Sequence, residues 1–94
     1  MAFARAVRFD GVNKERIEQM KQEMNEGGKP EELPATEIIV LHDGSAEESL
    51  VLVFFDSEED YNAGDAFLNS MPSGDTPGSR TSVTKYDVAV RMTA

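Results

Sequence analysis

The sequence predicts an α+β fold in which two helices cover one face of a four-stranded antiparallel sheet. Three observations carry that prediction. The run Leu50-Val51-Leu52-Val53-Phe54-Phe55 is apolar at every position, as in a strand buried on both faces. It ends in the acidic, serine-led turn Asp56-Ser57-Glu58-Glu59-Asp60, after which apolar residues return at helical spacing. Finally, the segments fall in the order strand, helix, strand, strand, helix, strand.

Residues 3–10 (FARAVRFD) read as the first strand, with Phe3, Arg5, Val7 and Phe9 on one face and Ala4, Ala6 and Arg8 on the other. Gly11 breaks it. Asn13 is a good N-cap for the first helix, because its short side chain can accept from a free N–H of the first turn. Val12 and Ile17 stand at the two ends of a hydrophobic staple. Ile17, Met20 and Met24 follow at i, i+3 and i+7, a narrow apolar stripe, while Glu15, Glu18, Gln22, Glu23 and Glu26 fill the wet side. Gly27-Gly28 ends the helix.

Lys29 to Ala35 is expected to be a loop, since Pro30 and Pro34 both oppose regular structure, with room for a helical turn at Glu31-Glu32-Leu33. Thr36 to His42 is the second strand: Ile38, Val40 and His42 on one face, Ile39 and Leu41 on the other. Asp43-Gly44 begins a turn into the third strand, from about Ser49 to Phe55. Ser57 caps the second helix, with acids suited to its positive end. Tyr61, Gly64, Leu68 and Met71 lie along its stripe, with Ala63 and Phe67 beside it. Pro72 to Ser79 reads as an irregular loop. Arg80 to Met92 alternates as a fourth strand, Thr84, Tyr86, Val88 and Val90 against Val83, Lys85, Asp87, Ala89 and Arg91.

This order is the split βαβ, or ferredoxin-like, arrangement. Both helices then share one sheet face. Strands two and three are apolar on both faces, so the second face also needs cover. Two sheets packed face to face would supply it, forming an eight-stranded barrel-like homodimer.

Composition bounds the rest. Ninety-four residues make one domain, 1–94, large enough to bury roughly 60 to 65% of the unfolded surface. There is no cysteine, which removes disulfides and thiolate metal sites. A net charge of −9 opposes binding to a polyanion, so no nucleic-acid partner is expected. The acidic clusters Glu31-Glu32, Glu47-Glu48 and Glu58-Glu59-Asp60 read as solvated loops and helix starts, and none has calcium-loop spacing. The beginning Met1-Ala2-Phe3-Ala4-Arg5 lacks a signal peptide's apolar region, and no run reaches membrane-spanning length. A cytoplasmic protein without a membrane partner is expected, with no cofactor and no metal.

The stretch Val51-Leu52-Val53-Phe54-Phe55-Asp56-Ser57-Glu58-Glu59-Asp60 resembles the strand, aromatic, acid, serine and acidic helix start of the dimeric α+β barrel superfamily. That superfamily includes antibiotic-biosynthesis-monooxygenase-like proteins. Thr81 to Val90 is similar to the last strand of small actinobacterial members, and Phe3 to Phe9 with Asp10-Gly11 fits their first strand. The resemblance spans nearly the whole chain and implies a homodimer. It does not carry over the haem-degrading branch's site, an asparagine on strand one, a tryptophan in helix two and a histidine after it. The corresponding places here are Val7, Gly64 and Ser73-Gly74.

The candidate site residues each have a structural alternative. His42 could be a general base at a pocket mouth, or a polar end to its strand. Tyr86 could donate to a bound carbonyl or quinone, or be a core aromatic with its hydroxyl at the edge. Met20, Met24 and Phe67 could line a ligand cavity between helices and sheet, or be plain core. Phe55, at the strand-three end, can line a pocket but cannot move a proton. Arg5 and Arg8 must find partners or water, with Asp87 or Asp10 as candidates and an anionic ligand as the other possibility. These readings give a small homodimer with a hydrophobic or aromatic ligand. The alternative is a cofactor-independent monooxygenase acting on a polycyclic phenol, with His42 or Tyr86 as the polar group.

Overall fold

The computed structural model describes residues 2–28, 31–70 and 78–93. Its elements are β1 (Phe3–Asp10), α1 (Lys14–Gly27), β2 (Glu37–Asp43), β3 (Glu48–Phe55), α2 (Glu58–Asn69) and β4 (Ser79–Asp87). The sheet order is β2-β3-β1-β4 with every neighbouring pair antiparallel, the ferredoxin-like pattern expected from the sequence. Met71 and residues 72–77 of the expected loop lie outside the described residues.

Local chemistry sets the helix starts. The Asn13 side chain accepts from the Arg16 N–H at 2.9 Å, and Ser57 Oγ accepts from the Asp60 N–H at 3.1 Å. At the end of α1, Gly28 takes φ 66°, where an L side chain would be strained, and its N–H donates to Met24 O. In the β2–β3 hairpin, Asp43 Oδ1 accepts from the N–H groups of Ser45 and Ala46, holding the turn.

Strand register sorts the side chains. Phe3, Arg5, Val7 and Phe9 lie opposite Phe55, Val53, Val51 and Ser49, and Val53 and Val51 in turn lie opposite Ile38 and Val40. This is the helix-covered face. Under α2 and the 31–35 segment, Leu33, Ala35, Val53, Phe55 and Tyr61 form a buried cluster, with Phe3, Ile38, Val51, Phe67 and Leu68 against it. Near the start of α1, Val7, Phe9 and Val12 form a second cluster against which Ile17 packs, as the staple required. Gly64 lets α2 approach closely: a Cβ there would overlap the Phe55 ring.

The expected fourth strand runs too long. Regular pairing stops at Asp87, because β1, the only neighbour of this edge strand, begins at Phe3. Val88 still donates its N–H to Ala2 O, and the chain then leaves the sheet. Arg91 crosses to bond Glu37 of β2 at 2.8 Å and lies over the Phe54 ring.

Candidate functional site

The two helices do not cover the sheet equally. Tyr61 and Gly64 of α2 are buried, whereas α1 buries no residue. Beneath α1 its apolar stripe faces the edge strand β2 across a groove of about 290 Å³, lined by Ile17, Met20, Lys21, Met24, Asn25, Ile38, Val40 and His42. The groove follows from the sequence: α1's stripe is one residue wide per turn, too narrow to fill the width between β3 and the β2 edge.

His42 brings α1 and β2 together. Its Nε2 lies 2.8 Å from the carbonyl oxygen of Val12, which can only accept, so Nε2 carries the proton in that bond. Val12 directly precedes the Asn13 cap, so the imidazole ties β2 to the helix start. A nitrogen committed in this way is a donor, and abstraction of a proton there would first have to break the tie.

Of the candidate residues, the structure gathers Met20, Met24 and His42 around one groove and places the others elsewhere. Phe55 is fully buried beneath α2, edge-on to the Tyr61 ring with centroids 5.5 Å apart. Phe67 packs against the same cluster. Tyr86 lies opposite Ala4 on the far sheet face and is 56% exposed. Lys21, Asn25, Ile17, Ile38 and Val40, which also line it, were not named as site residues from the sequence. Yet Ile38, Val40 and His42 share a strand face by alternation, and Lys21 and Asn25 stand one turn apart beside the methionine stripe.

Polar order is concentrated under α2 instead. Arg5, only 3% exposed, donates from Nε to Asp65 Oδ1 at 2.7 Å and from a terminal nitrogen to Asn69 Oδ1 at 2.9 Å. Arg80 donates to the same Asn69 oxygen at 3.0 Å. The last turn of α2 carries no basic residue of its own, so these guanidinium groups bring positive charge to its negative end. Arg5 thus pairs with neither Asp10 nor Asp87, because its side chain emerges on the helix face, beneath α2. Nearby, Lys85 Nζ bonds Glu58 and stands 4.9 Å above both the Phe3 and Tyr61 rings. Burial pushes the Tyr61 phenol above its ordinary 10.0, the Asp65 carboxylate adds to the rise, and Arg5 and Lys85 pull against it.

On the opposite sheet face, register places Ala4, Ala6, Ile39, Leu41, Leu50, Leu52, Phe54 and Tyr86 together. No helix covers them. Among the described residues, no group of three or more His, Asp or Glu is placed to hold a metal ion. Among the same residues, no helix is long and apolar enough to cross a membrane. No family model matches the chain, and no curated protein matches it significantly.

Proposed function

We propose that this chain forms a homodimeric α+β barrel through the sheet faces that no helix covers, each subunit binding a small hydrophobic or aromatic molecule in the groove under α1. The groove itself carries the reading. Ile17, Met20 and Met24 present apolar surface to Ile38 and Val40 across open space, and none of α1 is buried. A ligand there would remove that surface from water at roughly 25 cal/mol per Å². Methionine suits the task, since its flexible thioether adapts to the shape it meets. The volume, about 290 Å³, is near twice that of an engineered apolar cavity of about 150 Å³ that takes benzene, so one or two rings fit.

The dimer is supported by the far face. Leu41, Leu50 and Leu52 lie there beside the small Ala4 and Ala6, with Arg8 opposite Leu50 and Arg91 over Phe54 at the margins, and two copies could bring the leucines together at about 10 Å sheet spacing.

The ligand reading is tested by titrating 1-naphthol into protein carrying ¹³C-methyl methionine. Saturable shifts of the Met20 and Met24 methyl signals, with Met92 unmoved, are expected. Unmoved Met20 and Met24 signals at the solubility limit of the probe would end the reading.

A further inference from the structure

We infer that the groove under α1 selects organic anions with an apolar body, a medium-chain carboxylate being the simplest, and that Lys21 and Asn25 hold the headgroup. The inference rests on the groove being a ligand site and adds the chemistry of what it takes.

Charge placement carries it. The chain has eighteen acidic residues against nine lysines and arginines, yet among the described residues no carboxylate lines this groove and one lysine does. The acids of α1 face away: Glu18 and Glu26 line its outer surface together with Gln19 and Gln22. Lys21 and Asn25 line both that outer surface and the groove, so they stand at the rim between them. Four residues apart on one helix, they are neighbours on the same face.

Lys21 is also uncommitted. It makes no ion pair or hydrogen bond among the described residues, whereas Arg5, Arg16, Lys85 and Arg91 all have acidic partners. An ammonium with three donors beside a carboxamide with two can meet both oxygens of a carboxylate. Behind the rim the lining is apolar: Ile17, Met20, Met24, Ile38 and Val40, with His42 closing the end at which α1 begins. From Ile17 to Asn25 the helix rises about 12 Å, room for an eight-carbon chain lying along it.

Long-range electrostatics makes the claim demanding. A net charge of −9 repels any anion, so a preference for one requires a local site strong enough to overcome that field. Octanoate and 1-octanol share the apolar body and differ in the head. Each is titrated at pH 7 and low salt into the full chain, followed by the Met20 and Met24 methyl signals, with Lys21→Gln beside the native protein. Lys14→Gln makes the same charge change at the helix start, outside the groove.

Octanoate should bind roughly three- to tenfold more tightly than 1-octanol, and Lys21→Gln should abolish that difference while Lys14→Gln keeps it. Equal binding of the two, or an octanoate preference that survives Lys21→Gln, overturns the headgroup assignment and leaves the groove as a ligand site. If neither compound moves the methionine signals, the groove reading falls and this inference with it.

Discussion

Arg5 on the first strand and Asp65 on the second helix, sixty residues apart, meet at 2.7 Å where the arginine side chain is only 4% exposed. The contact ties α2 to the first strand beneath it. It also makes the two halves of the pair unequal, since Asp65 keeps 35% of its side chain in contact with water.

Removing the carboxylate should therefore be the costlier change. Asp65→Ala leaves the guanidinium buried with Asn69 as its remaining partner. A loss of about 2 to 3 kcal/mol is expected, less than the most a fully buried pair would lose. Urea denaturation should show a lower midpoint at unchanged slope. Replacing both partners, Arg5→Met with Asp65→Leu, should cost less than Asp65→Ala alone, because no unpaired charge remains.

The close approach of α2 makes a second prediction. Alanine normally favours a helix over glycine by about 1 kcal/mol. At Gly64 the added methyl would overlap the Phe55 ring, which is fully buried and has nowhere to move. Gly64→Ala should be net destabilising by about 1 to 3 kcal/mol. Pairing it with Phe55→Leu should recover part of the loss in thermal melts, a coupling that two independent sites would not show.

The phenol of Tyr61 offers a pH readout. In Tyr86→Phe the only remaining tyrosine is Tyr61, and absorbance at alkaline pH should report a midpoint above 10.0. An acid whose folded pKa is raised favours the folded state in its protonated form. Its contribution is thus full below the unfolded value near 10 and is lost as pH rises through the folded midpoint. Stability of Tyr86→Phe should fall over that window more steeply than that of the Tyr61→Phe, Tyr86→Phe double variant.

His42 is expected to govern how firmly α1 is held. His42→Ala removes the bond to Val12 O, worth about 1 kcal/mol. Because no residue of α1 is fully buried, the loss should show locally: hydrogen exchange should quicken across α1 while β1 and β3 stay protected.

The sheet face without a helix gives the test of assembly. Light scattering at micromolar concentration should report a dimer, and a clean monomer there would sink the face-to-face arrangement. Leu52→Glu, at the middle of that face, should yield a monomer that remains folded, since burying a charge between two sheets costs several kcal/mol while one sheet face in water tolerates it.

Much of this protein is written along the chain. Alternation in residues 3–10, the caps at Asn13 and Ser57, the glycine stop at Gly28 and the two-sided apolar run ending at Phe55 are local patterns, and local sterics and hydrogen bonding suffice to read them. The run Leu50 to Phe55 also showed by itself that this strand is apolar on both sheet faces. Tertiary structure decided which residues share a place. It moved Arg5 to Asp65, separated Phe55, Phe67 and Tyr86 from Met20, Met24 and His42, and ended β4 where β1 begins. Each of these depends on how one element slides and turns over another. That is settled by packing at points such as Gly64 on Phe55, between residues whose distance in sequence says nothing of their distance in space.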